Sequence, residues 1–576
     1  SSDLEWKNTI GPIEQRPGHL SVNWGYNITD GFGYHEMLQL SEDLGAEPLF
    51  VVNVGLGHGW LQPYDQLDEY IQEALDAIEY ANGDAKTTKW GAERAKNGHP
   101  EPFNLRLLEV GNENANFYFD NNRDQSEHYF ERYIQFYRAI KAKYPDVQII
   151  GNVEAWGTDA PSWRSNHPVD ILDEHYYRSP SWFEHNFNKY DTYNRNGPKI
   201  YIGEYAVTQG FGINGHLTAA LGEAVYMQGL ERNSDIVVMG SYAPIFVNEH
   251  NAAWRPDMIR FNAAESFGTP SYHVQQMMAN NIGTRVLPVR VSDNKLAPTI
   301  GHRIGFTTWG TQAEFRGLEV KDAEGRVLLA DAFGTLTSAA WSGFENADNS
   351  PSRNAWRYSV WKTADGVLSQ LNQRAEGSVL LNTTDLSDIY TLHVQARRLE
   401  GNEGFIVVFG AEDEDNLIWW NLGGWGNSQH AIEHLADGGK NTLASAPGHL
   451  EEGRWYDVEV QVSGTSARCL LDGQLIHEFS LPERQSLYAS ATLDEPSGEV
   501  ILKLVNPTSV PQSVALDFGT PLTTGRAIIL ASPKGSDENT MREQLKVSPE
   551  EHPVQFSKIQ AYTVRPFSLT ILRLKR

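Results

Sequence analysis

Two glutamates in this chain have the surroundings of reactive groups: Glu113 in Gly111-Asn112-Glu113-Asn114, and Glu204 in Gly203-Glu204-Tyr205-Ala206. Each follows a run that reads as a buried strand, residues 105–110 and 200–202. Two carboxylates carried on the ends of separate parallel strands suit the cleavage of a glycosidic bond. One donates a proton to the leaving oxygen while the other attacks the anomeric carbon or activates water. A single such glutamate would read as a helix cap or an arginine partner. Two of them, inside an alternating strand and helix pattern, turn the reading to catalysis.

The elements that must carry them follow from periodicity. Residues 48–54 form an apolar run, as expected of a strand buried on both faces. Leu67, Tyr70, Ile71, Ala74, Leu75 and Ile78 then recur at helical spacing, and Asn82-Gly83 is a stop signal. Strand 105–111 comes next, then a helix carrying Phe130, Tyr133, Ile134 and Tyr137, and strands 147–153 and 169–175. Strand 199–205, a helix near 215–231, strand 235–241 and a helix near 270–281 complete the series. This is the grammar of a parallel (β/α) barrel. Six strands are visible where a barrel needs eight, and the shortfall falls at the front, because residues 1–30 hold no strand–helix unit. A doubly wound open sheet tolerates six strands but would not readily face two glutamates from strands three apart, so the barrel is the expectation.

Beyond about residue 284 the pattern becomes all-β. Asp472-Gly473 between two short runs predicts a tight hairpin. Segment 298–487 is expected to fold around its own aromatic core: Trp309, Phe315, Trp356, Trp361, Phe405, Trp419, Trp420, Trp425 and Trp455. The expected division is a catalytic barrel over 1–283, a β-sandwich from 284–297 plus 488–576, and an inserted jelly roll over 298–487 as a candidate carbohydrate-binding module.

With 576 residues the chain exceeds one ordinary core. Its formal charge of −27 argues against nucleic acid and against an anionic membrane surface. The lone Cys469 lies in an apolar run and reads as a buried, inert thiol; it allows no intrachain disulfide. No run has the length of a transmembrane helix. The first residue is not Met, and the expectation is that a leader or a larger N-terminal piece was removed, with an extracellular or periplasmic location. There is no His-Glu-x-x-His, no Gly-x-Ser-x-Gly and no nucleotide loop, so neither metal nor cofactor is expected.

Residues 29–36 (Thr-Asp-Gly-Phe-Gly-Tyr-His-Glu) and 44–55 resemble glycoside hydrolase family 51, whose typical members are retaining α-L-arabinofuranosidases on a clan A (β/α)8 barrel. The likeness continues through the two glutamate motifs, Glu174-His175-Tyr176-Tyr177 and residues 242–248, and covers roughly 1–297 and 488–576. It implies Glu113 as acid/base, Glu204 as nucleophile, and Asn112 as a partner of the sugar 2-hydroxyl. It also implies substrate-facing roles for Asn53, His175 and Tyr177, with Trp254 as a pocket wall. The family carries its acid/base after the fourth strand and its nucleophile after the seventh. Here they follow the second and the fifth, so the expectation is that the first two strands lie outside this chain, either because another polypeptide or N-terminal fragment supplies them or because the sequence is itself a fragment; of the two, a partner that completes the barrel is expected. The substrate implied is an arabinose-containing polysaccharide such as arabinoxylan or arabinan, attacked from its ends, and a homo-oligomer stays open. The alternatives are a β-xylosidase or endo-glucanase on the same scaffold, and a non-catalytic carbohydrate-binding chain.

Overall fold

The computed structural model describes residues 6–21, 25–57, 60–114, 126–153, 163, 166–208, 215–252, 254–292, 294–296, 300–343, 359–412, 416–436, 439–481, 483–519, 524–556 and 559–575. The chain divides into two compact units.

The first unit holds a six-stranded, all-parallel sheet whose strands follow one another in chain order. They are β1 (Leu49–Val52), β2 (Leu107–Val110), β3 (Gln148–Asn152), β4 (Ile171–Arg178), β5 (Lys199–Val207) and β6 (Val237–Tyr242). Sequential order with a crossover between parallel neighbours is how a (β/α) barrel is wound, and the sheet is an arc of such a barrel. Most positions from β2 to β5 are buried, as strands covered on both faces require. One side chain per strand (Leu49, Leu107, Ile150, Ile171, Tyr201 and Met239) meets in a common apolar layer. Helix α1 (Tyr34–Asp43) precedes β1, and α2 (Leu67–Asn82) follows it with Leu67, Ala74, Ala77 and Ile78 buried. Helix α2 stops before Gly83, where a Cβ would come within 2.5 Å of Glu79 O and Thr88 Oγ1. Residues ahead of α1 supply a 3-10 turn and a small hairpin, His19–Ser21 with Tyr26–Ile28. Trp6 in that turn packs against Tyr34, Tyr80 and Trp90.

Two strands run further than the sequence pattern suggests. β4 continues past His175 to Arg178, so Tyr177 is a strand residue. β5 extends to Val207, which places Glu204 within the strand and not beyond it. β5 also carries an irregularity: Ile202 pairs with Gly240 and Tyr205 with Tyr242, so three steps on β5 match two on β6. An extra residue of this kind turns side chains away from strict alternation, and such bulges recur beside active sites.

In the second unit a seven-stranded and an eight-stranded antiparallel sheet enclose one large apolar core. Alternate residues face it: Phe405, Val407 and Phe409 from one sheet, Val458, Val460 and Val462 from the other. Asp472 and Gly473 both take positive φ (50° and 76°) in the hairpin joining Ser466–Leu471 to Gln474–Ser480, as a type I′ turn demands. Cys469 is buried in this core, and burial pushes its thiol's proton affinity up. Phe315, Trp361, Phe405 and Trp420 are core residues as expected. Trp309 and Trp425 are not: they are 38% and 46% exposed. Trp419 belongs to a separate cluster with Ile406 and Val408, and Trp455 is half-buried with the guanidinium groups of Arg316 and Arg397 over its ring. Trp356 lies outside the described residues.

A six-stranded antiparallel sheet completes this unit, made from Arg285–Leu287, Tyr488–Asp494, Glu499–Asn506, Ser568–Lys575, Thr524–Ala531 and Glu550–Gln555 in spatial order. Ile501, Val505, Leu569 and Ile571 pack with Leu217, Leu221 and Val225 of helix α3 (Leu217–Arg232). Among the described residues, no helix is long and apolar enough to cross a membrane.

Candidate active site

Polar side chains gather at the C-terminal ends of β2, β4 and β5. The chain leaves β2 at Val110 and turns through Gly111, whose φ is 83°. A Cβ there would fall 2.1 Å from Asn114 Oδ1 and 2.6 Å from Val54 Cγ1, so only glycine fits. Glu113 itself has φ 52°, an unusual conformation for a residue with a side chain. The turn is fastened by Asn114: its Oδ1 accepts the Asn112 N–H at 2.9 Å, and its own N–H donates to Asn152 Oδ1 at 2.9 Å. Asn152 in turn donates its side-chain amide to Val110 O and its backbone N–H to the Tyr129 hydroxyl.

Strand alternation does the rest on β4. Asp173, His175 and Tyr177 share one face, while Glu174 and Tyr176 point to the other. His175 Nδ1 donates to Glu113 Oε1 at 2.9 Å and lies 3.7 Å from Glu204 Oε2. The Tyr177 hydroxyl donates to Glu204 Oε2 at 2.5 Å, and the Trp254 ring stands edge-on to Tyr177 with centroids 5.4 Å apart. Oxygens of Glu113 and Glu204 come within 4.8 Å of each other, with the His175 nitrogen between them. Glu113 and His175 are buried, whereas Glu204 retains some exposure.

The electrostatics are those of charge crowded into a largely buried site. Burial raises the proton affinity of Glu204, with Glu113 and Asp173 adding to it and His175 and Tyr177 opposing. His175 is held well above the ordinary histidine range despite its burial, because Asp173, Glu113 and Glu204 favour its cation. Burial and the neighbouring Glu204 keep Tyr177 protonated, which suits it as a donor. Three ligand-type atoms this close can hold a metal ion in principle. Here each nitrogen of the ring faces a carboxylate oxygen, and those carboxylates favour the doubly protonated ring, a form that offers no lone pair.

Five residues singled out from sequence therefore meet: Glu113, Glu204, His175, Tyr177 and Trp254. Asn112 is exposed, and its backbone N–H, bonded to Asn114, is what fixes the turn. The Asn53 carboxamide is engaged locally, its Oδ1 accepting the Gly55 N–H at 2.7 Å. Sequence reasoning missed Asp173, Glu109, Asn114 and Asn152. Asp173 carried a signal, since it stands two residues before His175 and a strand repeats every two. Glu174 answers a different demand. Its carboxylate is buried on the opposite face, where it accepts the hydroxyls of Tyr176, Tyr190 and Tyr193.

Residues 1–195 match the family described as the alpha-L-arabinofuranosidase 1 domain, and residues 203–568 match the alpha-L-arabinofuranosidase C-terminal domain. An extracellular exo-alpha-L-arabinofuranosidase of Streptomyces chartreusis is 37% identical over 589 residues, covering 99% of this chain and 67% of that protein. Alpha-L-arabinofuranosidase 1 of Arabidopsis thaliana is 42% identical over 294 residues, 51% of this chain and 41% of its own length. Among solved structures, an arabinose-bound GH51 α-L-arabinofuranosidase superposes with a TM-score of 0.61 at 22% identity, covering all of this chain and 62% of that one. The Thermotoga maritima α-L-arabinofuranosidase in complex with arabinose gives a TM-score of 0.55 at 15% identity, covering 100% and 85%. The chain thus spans two thirds or less of several of these relatives.

Proposed function

This chain belongs to glycoside hydrolase family 51, and from that premise we propose that it is a retaining, exo-acting α-L-arabinofuranosidase. The observation that carries this reading is the pair Glu113 and Glu204, with oxygens within 4.8 Å on either side of one imidazole. A retaining enzyme needs its carboxyl groups about 5–5.5 Å apart, and a wider gap would leave room for water between them. Glu113 gives its proton to the leaving oxygen while a Glu204 oxygen bonds to the anomeric carbon and the glycosidic bond breaks. Water then loses a proton to Glu113, its oxygen bonds to the anomeric carbon, and Glu204 departs as carboxylate. Tyr177 steadies Glu204 throughout, and Trp254 behind it is the pocket wall. The substrate class is the arabinofuranosyl side chain of arabinoxylan or arabinan, met outside the cell, as the name of the Streptomyces relative suggests. The domain division at 283, 297 and 487 is retained as part of this proposal.

The same reading includes a completing piece for the barrel. Among the described residues β1 pairs only with β2, and β6 only with β5. Val51 on β1 and Val238 on β6 are exposed, as are Met37, Leu40 and Leu44 in and just after α1. Open strand edges flanked by exposed apolar groups are an association hazard unless something covers them. Two further strands, supplied by another polypeptide or by a fragment cut from a longer precursor, would cover both.

Turnover of 4-nitrophenyl α-L-arabinofuranoside, with the product anomer followed by proton NMR, tests the activity. Native mass spectrometry of the same sample tests the partner. Release of arabinose with retained configuration together with a second polypeptide is the expected result. Turnover of a β-xyloside in place of the arabinofuranoside would overturn the substrate assignment. Sugar binding without turnover of any glycoside would leave a binding chain.

A further inference from the structure

Two more buried carboxyl groups stand near the His175 ring, Asp173 and Glu109. Asp173 is fully buried, with Oδ2 2.6 Å from His175 Nε2. Its other oxygen, Oδ1, accepts the backbone N–H of Gly203 at 2.8 Å, and Gly203 immediately precedes Glu204. One carboxylate therefore holds both the ring and the strand that bears the second glutamate. Gly203 is the residue that permits this: a Cβ there would lie 2.1 Å from Asp173 Oδ1. Its φ is not in the left-handed region, so the glycine answers to space and not to backbone conformation. Glu109, two residues before Gly111 on β2, is buried beside Asp173. Burial, and after it the Asp173 charge, raises the proton affinity of Glu109 well above the ordinary carboxylate range.

We propose that Asp173, backed by Glu109, is a positioning residue that locks the His175 ring so that one Nδ1–H serves Glu113 and Glu204 in turn. The proposal rests on the two-glutamate reading above. During glycosylation Glu204 gives up its negative charge to an ester while Glu113, losing its proton, gains one. Water reverses both changes. The charge thus moves from one side of the ring to the other and back. A cation fixed 2.9 Å from one carboxylate and 3.7 Å from the other can stabilise either state without moving far. The titratable groups around it are Asp173 on Nε2, Glu113 and Glu204 on Nδ1, Tyr177 on Glu204, and Glu109 beside Asp173.

The test uses the full chain, with its partner if it has one, in three variants: Asp173→Asn, Gly203→Ala and Glu109→Gln. Asp173→Asn should lower kcat by roughly 100-fold with KM little changed, and should displace the pH–rate profile. Gly203→Ala should do the same by pushing the carboxylate aside without removing it, which keeps the test alive if Asp173→Asn does not fold. Glu109→Gln places a neutral donor beside Asp173 and should lose roughly tenfold less than Asp173→Asn. Nitrogen NMR of histidine-labelled protein gives a reading independent of turnover: His175 should keep both N–H protons into alkaline pH in the wild type and lose one in Asp173→Asn. A wild-type rate and pH profile in Asp173→Asn, or the same His175 titration in both proteins, would overturn the proposal. Absence of arabinofuranoside turnover in the wild type would refute the enzymatic reading instead, and the NMR comparison would still judge the placement of the ring.

Discussion

The parallel sheet and the paired antiparallel sheets obey the same rule of alternation and use it for opposite ends. In the antiparallel pair every second residue enters an apolar core that includes Phe306, Phe405, Val407, Trp420 and Val460. On the parallel strands the apolar layer is confined to one level, and beyond it the same faces carry Glu109, Asp173, His175 and Tyr177. The first arrangement removes hydrocarbon from water at about 25 cal/mol per Å². The second gathers carboxyl groups around one imidazole, which desolvates charge and is tolerated because Glu113 and Asp173 meet the ring and Glu204 meets the Tyr177 hydroxyl. Stability and reactivity are therefore carried by different strands, and substitutions should separate them.

The largest effect should come from Glu204→Gln, which removes the proposed nucleophile and should cost about 10⁴-fold or more in kcat. Melting should be unchanged or raised, because a buried charge is relieved. A variant that melts markedly lower would break the comparison, since it would make the glutamate a structural group. Next is Trp420→Ala in the antiparallel core, where truncating a fully buried tryptophan should cost about 3–5 kcal/mol of stability. Well below its melting temperature this variant should turn over substrate at the wild-type rate; a rate loss matching the loss of stability would contradict the division. Tyr177→Phe sharpens it from the other side. Deleting one hydrogen bond to a carboxylate should cost about 1.5–3 kcal/mol, read as a 10- to 100-fold fall in kcat with little change in melting.

The smallest effect concerns Glu223, buried in α3, whose carboxylate accepts the Val207 N–H at 3.0 Å. Burial pushes its pKa from 4.5 up to about 7. Its unfolded form ionises first, so the stability it allows is fully present below about pH 4.5 and is lost as pH rises through 7. Glu223→Gln should flatten this dependence by a few degrees in Tm. Melting curves that run in parallel for the two proteins across that interval would show that Glu223 is not the group responsible.

Much of this was legible in the chain. Apolar runs gave the six parallel strands, the 3.6-residue period gave α2, and Asp472-Gly473 gave its hairpin, because each depends on residues a few positions apart. The candidate glutamates were legible too, since glutamates at strand ends are a local pattern, whereas His175 and Tyr177 were implied by the family resemblance alone. The two exposed tryptophans were not. Trp309 and Trp425 have the composition of core residues, and only the path of the neighbouring strands leaves them in solvent.

What the sequence determined by itself is the type of each element and which side chains are candidates for the chemistry, for both are written in nearest neighbours and short periods. The tertiary structure decided how those side chains meet. An extra residue on β5 re-aims Glu204, which strict alternation from Tyr201 would have sent to the opposite face. Parallel register brings Asp173 against Gly203, 30 residues later, and makes room for a carboxylate where glycine leaves a gap. Contacts of that span are fixed by strand pairing and burial across the whole sheet, and no short stretch of the sequence contains them.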